Sequence, residues 1–455
     1  MRLSRTSFVV PLICGVALSV LAADRAFTSY ASVKPVLDQP GDLLPAELRN
    51  PNEAKWTGWS ERQDKAIRAR LQQGDLDSMV NLLLYGTSFT KQPRIKVENL
   101  TEASKAGILR ARVDDLVVGL RSPGDNERLT FLNGLLRSQG IDPNSPGPTG
   151  VFIYNNLGRV IQEMGTLAKR AEEAKQLTKA NTAPDPSAIF DWRAGLFRDR
   201  GVSLDTGIFP NYSIEQALRD LKNRGVLREG QVARVAVVGP GLDVIDKNEQ
   251  SSYDYYPQQT LQPFALYDSL VRLGLAKSNA VSMSIFDISS KVIDHIQRAR
   301  ERAGMNTGYV IQLPRQVAPW PPDLLAYWRS LGDRVGAEVA PIRPPEVFQG
   351  LEARAVRIRP EVVLKCEPVD LNIVLEHLNL AEADRFDLIV GTNIFIYYDA
   401  FERSLALENA GAMLKSGGLL LTNDRLPEVP GGSMRLTGLT DVPYNHDAVG
   451  WYRKR

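Results

Sequence analysis

The sequence predicts an α/β protein, a doubly wound and mostly parallel sheet preceded by an all-α N-terminal domain. Three observations carry this. From Gln231 onwards apolar strand-like runs alternate with amphipathic helical stretches, the pattern of a parallel sheet covered on both faces by helices. The first of those runs, Val235-Ala236-Val237-Val238, stops at Gly239-Pro240-Gly241, a strand ending in a tight glycine turn. Before it, from about Ser60 to Thr178, the apolar spacing is helical and no strand-like alternation intrudes.

Taken in order, residues 1–25 read as a signal peptide or membrane anchor. Residues 26–59 are rich in Pro, Asn and Asp and read as a linker or surface-wrapping arm. Residues 60–225 form the helical N-terminal domain, with helices expected near 63–71, 75–84, 107–119, 126–136, 152–180 and 213–224. The sheet domain spans 226–455, with strands expected at 234–238, 280–287, 362–366, 386–392 and 418–423. Late runs at 434–438 and 448–453 are expected to supply an antiparallel edge. Two insertions interrupt the alternation, near 249–263 and 308–359. The ends of the second, 309–313 and 355–358, are able to pair as a small extra sheet over the ligand side.

Composition excludes several classes. A net charge of +2 without a dense Lys/Arg block gives no electrostatic case for a nucleic-acid partner. The two cysteines, Cys14 and Cys366, make no disulfide framework, and His295, His377 and His446 lie too far apart in sequence to suggest a metal site. At the N-terminus, Arg2 and Arg5 precede the apolar run 8–22, which fits a secretory signal. That run is short for a membrane span of roughly 20 residues, although attachment through residues 7–22 is an open expectation. The chain is therefore expected to be exported or membrane-anchored. A mistaken start codon is the other possibility, and it leaves the body on the cytoplasmic side.

Chemistry concentrates around the glycine turn. Glycines let a backbone approach a ligand closely, and Asp287, at the tip of the next expected strand, is placed to accept two ribose hydroxyls. The acid comes far later than the about 20 residues of a compact dinucleotide site, because the aromatic stretch Tyr253-Asp254-Tyr255-Tyr256 delays the intervening helix. Further on stand Glu367-Pro368-Val369-Asp370-Leu371, Phe386-Asp387-Leu388-Ile389-Val390, Thr392-Asn393-Ile394-Phe395, and Leu414-Lys415-Ser416-Gly417-Gly418 before three leucines.

In that order these motifs resemble a class I S-adenosylmethionine-dependent methyltransferase over about residues 234–424, with its Rossmann-like fold. The run 386–398 is similar to the corresponding segment of chemotaxis-receptor glutamate methyltransferases. The resemblance implies S-adenosylmethionine as cofactor, held by Gly239, Gly241, Asp243, Asp287 and Asp370. Asn393 is implied at the reaction site, and Tyr253, Tyr255 and Tyr256 form a substrate loop facing an unidentified small-molecule or protein acceptor. Two positions depart from the pattern. Val237 stands where the first strand often carries an acid, and Asp243 replaces the third glycine, so the cofactor's ammonium loses one partner unless Asp243 or Asp246 substitutes. Two other readings stay open: a non-catalytic binding or scaffold protein of this fold at the cell envelope, and an NAD(P)-dependent oxidoreductase.

Overall fold

The computed structural model describes residues 24–40, 43–92, 94–95, 102–179, 207–243, 254–346, 350–442 and 447–455. At its centre is a seven-stranded sheet. In chain order its strands are β2 (Arg234–Val238), β3 (Ser282–Asp287), β7 (Cys366–Asp370), β9 (Phe386–Gly391), β10 (Leu414–Thr422), β11 (Met434–Val442) and β12 (Asp447–Lys454). They lie side by side as β11-β12-β10-β9-β2-β3-β7. The five from β10 to β7 are parallel, whereas β12 runs antiparallel to both β10 and β11.

One expected strand is displaced. The run 362–366 is not a strand: α10 (Pro360–Val363) is a helical turn, and the strand follows at β7. Pro360 sits at the first helical positions, where its missing N–H costs nothing. Pro368 inside β7 is tolerated because β7 is an edge strand. The second insertion does form a sheet of its own, with β4 (Tyr309–Gln316) and β5 (Gly336–Val339) both antiparallel to β6 (Leu351–Ile358). Its Gln312 exchanges two hydrogen bonds with Gln259, and its Tyr309 hydroxyl accepts from Thr260 N–H. Its Ile311, Leu313, Trp328 and Val356 join the main core with α6 (Ile208–Asn223), α7 (Gln262–Arg272) and α8 (Ser290–Gly304), on one face of the large sheet.

The opposite face is covered differently. Between β7 and β9 the chain forms only β8 (Glu376–Leu378) and a short 3₁₀ turn, so α11 (Ala400–Met413) lacks a helical neighbour there. The N-terminal arm fills the place. β1 (Arg25–Phe27) pairs antiparallel with β8, and α1 (Tyr30–Leu37), a 3₁₀ turn (Ala46–Leu48) and the start of α2 (Glu53–Tyr85) bury Val36, Leu48, Trp56 and Trp59 against Phe286, Ile389 and Phe401. The Trp56 indole donates to Thr28 O at 2.7 Å and its ring lies 5.4 Å from that of Trp59. Residues 26–59 are thus a packed arm.

Beyond Ile67 the same α2 leaves the sheet. Its far end joins α3 (Glu102–Arg121), α4 (Glu127–Ser138) and α5 (Pro146–Lys179) in a second apolar cluster that includes Met79, Leu83, Leu116, Leu132 and Ile153. Helices precede the sheet, as expected, but α2 belongs to both cores, so no separate all-α domain is delimited. Among the described residues no helix is long and apolar enough to cross a membrane. The expected signal or anchor, 1–25, lies almost wholly outside the described residues.

Because Trp56 is fully buried and hydrogen-bonded, Trp56→Ala should cost about 3–5 kcal/mol of stability in urea unfolding. A loss under about 0.5 kcal/mol would mean the arm is a loose tether.

Candidate functional site

Numbered by their order in the chain, the five parallel strands lie 3-2-1-4-5, the doubly wound order. The chain runs outward from β2 through β3 to β7, then returns to β9 on the other side of β2. This reversal opens a crevice at the carboxyl ends of β2 and β9, where ligands of open α/β sheets bind. Val238 is in register with Gly391, so the glycine turn and Thr392-Asn393-Ile394 flank the same opening.

Gly239 and Gly241 both have positive φ, 61° and 72°. Their surroundings differ. A Cβ on Gly239 would lie 2.7 Å from Ile394 Cδ1, so that glycine is required by packing against the turn after β9. Among the described residues no atom lies within 4 Å of where a Gly241 side chain would begin, which leaves this glycine the open position for a close approach to the backbone.

Asp287 ends β3 beside β2, and its Oδ1 accepts from the Ser289 N–H at 2.8 Å. As a residue it is half-buried, yet desolvation pushes its carboxyl up to about 6, only partly offset by the backbone N–H groups of Ser289 and Ile288. Asp370 is its register partner on β7. The Asp370 carboxylate is engaged by the arm, 2.9 Å from Arg68 and 3.4 Å from Arg25.

Asn393 takes φ +56°, a conformation uncommon for a non-glycine residue but most accessible to Asn and Asp. It is held from two sides. Its N–H donates to Asn423 Oδ1, and Asn423 Nδ2 donates back to Asn393 Oδ1, both at 2.9 Å. Asp424 then accepts from Ile394 N–H at 3.1 Å and Phe395 N–H at 2.8 Å, and burial pushes its carboxyl up to about 6. Asn423 and Asp424 close β10 and were not singled out from the sequence, because nothing local marks them as partners of a turn thirty residues earlier.

The segment before α7 closes the other side. The Asp243 N–H donates to Gln259 O at 2.8 Å, and Tyr256 OH donates to Asp243 Oδ2 at 2.6 Å. Tyr256 is buried, with Tyr255 edge-on at 5.1 Å between ring centroids. Arg128 on α4 donates to Asp243 O and Tyr256 O, while the Glu127 carboxylate accepts from Gln258 N–H at 2.9 Å. The buried Asp254 carboxylate accepts from Thr87 and Ser88 N–H after α2. The helical module therefore grips the stretch 254–259. Tyr253 and Asp246 lie outside the described residues.

One buried polar group has no role in this packing. Gln262, the first residue of α7 and 1% exposed, donates its Nε2 to Thr392 Oγ1 at 2.7 Å. Its Oε1 is buried without a hydrogen-bond partner among the described residues. An orphaned acceptor at the crevice, the open Gly241 turn and the Asp287 carboxyl suit a ligand carrying a ribose and a cationic amine.

No family model matches this chain, and no curated protein does. Among solved structures it is similar to a TehB-like SAM-dependent methyltransferase from Corynebacterium glutamicum, with 11% identity over 54% of this chain and 98% of that one, at TM-score 0.22. It is likewise similar to magnesium protoporphyrin IX methyltransferase from Synechocystis with bound SAM, 11% identical over 60% and 100% of the two chains, at TM-score 0.25. A structure described as MtNAS in complex with MTA and tNA matches 84% of this chain and 97% of its own at 10% identity and TM-score 0.24. Scores this low carry no argument, and the fold stands on its own strand order. None of these three is a chemotaxis-receptor methyltransferase.

The raised Asp287 carboxyl has a consequence for stability. Its folded-state value lies above the ordinary 3.8, so the charged form burdens the fold above about pH 6 and the burden vanishes below about pH 4. Asp287→Asn should therefore raise stability by about 1–2 kcal/mol at pH 7.5 and by almost nothing at pH 4. Equal effects at both pH values in chemical denaturation would show that Asp287 is not desolvated.

Proposed function

We propose that this protein transfers the methyl group of S-adenosylmethionine to an acceptor. The observation that carries this reading is the crevice at the strand reversal. There, an open positive-φ glycine turn at Gly241 stands beside a carboxyl, Asp287, that burial makes unfavourable to charge. A protein keeps such a carboxylate at a strand tip when a ligand supplies the missing donors. In this reading Asp287 accepts the two ribose hydroxyls, Gly241 lets the backbone approach the ligand, and Asn393 faces the reacting centre from the turn after β9. Asp370 acts through its register with Asp287 while the arm's arginines hold its carboxylate.

The cofactor would supply an electrophilic methyl group on a sulfonium. Transfer of that group is an in-line displacement, so the chain's task is to hold donor and acceptor close and aligned. Asn423 and Asp424 serve this by fixing the Asn393 turn. The nicotinamide reading loses support from the sheet: β12 is antiparallel, where the dinucleotide order continues with a sixth strand.

Calorimetric titration of S-adenosylmethionine and S-adenosylhomocysteine into the full-length protein tests the proposal. Micromolar binding is expected, and Asp287→Ala should weaken it 10-fold or more through lost charge-assisted hydrogen bonds of about 1.5–3 kcal/mol. Absence of binding at millimolar ligand to folded protein would leave the fold to a non-catalytic role. Tighter binding of NADH than of either ligand would restore the oxidoreductase reading.

A further inference from the structure

We propose that Gln262 receives the α-ammonium of the cofactor's amino-acid end, in place of the acid that this chain lacks at position 237. The inference rests on the proposed function and narrows it to one atom.

Of the described residues near the glycine turn, two other candidates are ruled out. Val237 lies wholly inside the main apolar core and offers no acceptor. Asp243 already takes the Tyr256 hydroxyl on its carboxylate, and its backbone is tied to Gln259 and Arg128. It serves as the anchor of the stretch 254–259.

Gln262 is placed by two independent contacts of the fold. It opens α7, the helix that follows the glycine turn, and its amide reaches Thr392, the residue directly after β9. Since β9 and β2 are paired through Val238 and Gly391, that amide sits at the strand reversal. With Nε2 donating to the Thr392 hydroxyl, the side chain presents Oε1, a carbonyl acceptor that receives no hydrogen bond from the described residues. A buried acceptor left unpaired is costly, and a ligand ammonium would offset that cost with a charge-assisted hydrogen bond. No side chain caps the start of α7, so the positive end of its dipole is free to favour the carboxylate of the same zwitterion.

The test compares two ligands that differ only at the amino-acid end. S-adenosylhomocysteine carries the ammonium, and 5′-methylthioadenosine keeps the nucleoside and thioether without it. In full-length protein Gln262→Met, which keeps the side-chain length but removes the acceptor, should weaken S-adenosylhomocysteine at least 10-fold. It should leave 5′-methylthioadenosine within about twofold. Gln262→Glu retains an acceptor and should bind S-adenosylhomocysteine at least as tightly as the wild type. Equal losses for both ligands in Gln262→Met, no loss for either, or a loss of S-adenosylhomocysteine in Gln262→Glu would overturn the assignment while leaving the cofactor site standing. If the wild type binds neither ligand, the proposed function itself fails and this inference with it.

Discussion

A parallel sheet must be covered on both faces, and here one face has too few helices of its own. The chain passes from β7 to β9, and from β10 to β11, without forming an α-helix. Ala236, Val238 and Ile389 would be exposed there if α11 alone covered them. The arm from β1 to the start of α2 supplies the missing apolar surface, and most of what is distinctive about this molecule follows from that need. β1 is tied to β8, Trp56 and Trp59 are seated near α11, and α2 is laid across the sheet with its far end projecting past the strand tips.

That placement sets the electrostatics of the crevice. Arg25 and Arg68 reach the tip of β7 from the arm and neutralise Asp370. At the far end of α2, Asp75 pairs with Lys291 in the first turn of α8, directly after Asp287. Lys291 also lies 4.0 Å from the Phe131 ring of the helical module. Asp287 itself is left with backbone N–H donors alone, and its carboxyl rises accordingly. The same arrangement brings Arg128 and Glu127 onto the stretch 254–259, which in turn delivers Gln262 to the crevice. Which of these neighbouring acids is paired thus follows from whether a basic side chain of β1 or α2 reaches it.

The turn after β9 shows a second division of labour. Asn393 holds a left-handed conformation because Asn423 and Asp424, at the end of β10, take up the backbone and side-chain groups around it. Ile394 is thereby pressed onto Gly239, which explains that glycine without a ligand, while Gly241 keeps its open side. Two glycines that look alike in the chain have different reasons for being there.

Much of this was legible in the residues themselves. The apolar runs of β2, β3 and β9, the glycine turn, the acid at Asp287 and the extra sheet of the second insertion all follow from local periodicity and turn chemistry, which depend on neighbours a few residues apart. The helical turn at Pro360 was not, because Val362-Val363 is apolar in either conformation and only the edge position of β7 makes room for Pro368. Nor was the packed state of the arm, whose Pro- and Asn-rich composition reads as loose until the uncovered sheet face is known. The partners Arg25, Arg68, Arg128, Asn423 and Asp424, and the orphaned oxygen of Gln262, depend on contacts between segments thirty to several hundred residues apart. Sequence alone determined where the glycine turn and the strand-tip acids lie along the chain. The tertiary structure decided which groups there are paired and which are not, since desolvation and hydrogen-bond pairing are properties of the assembled crevice.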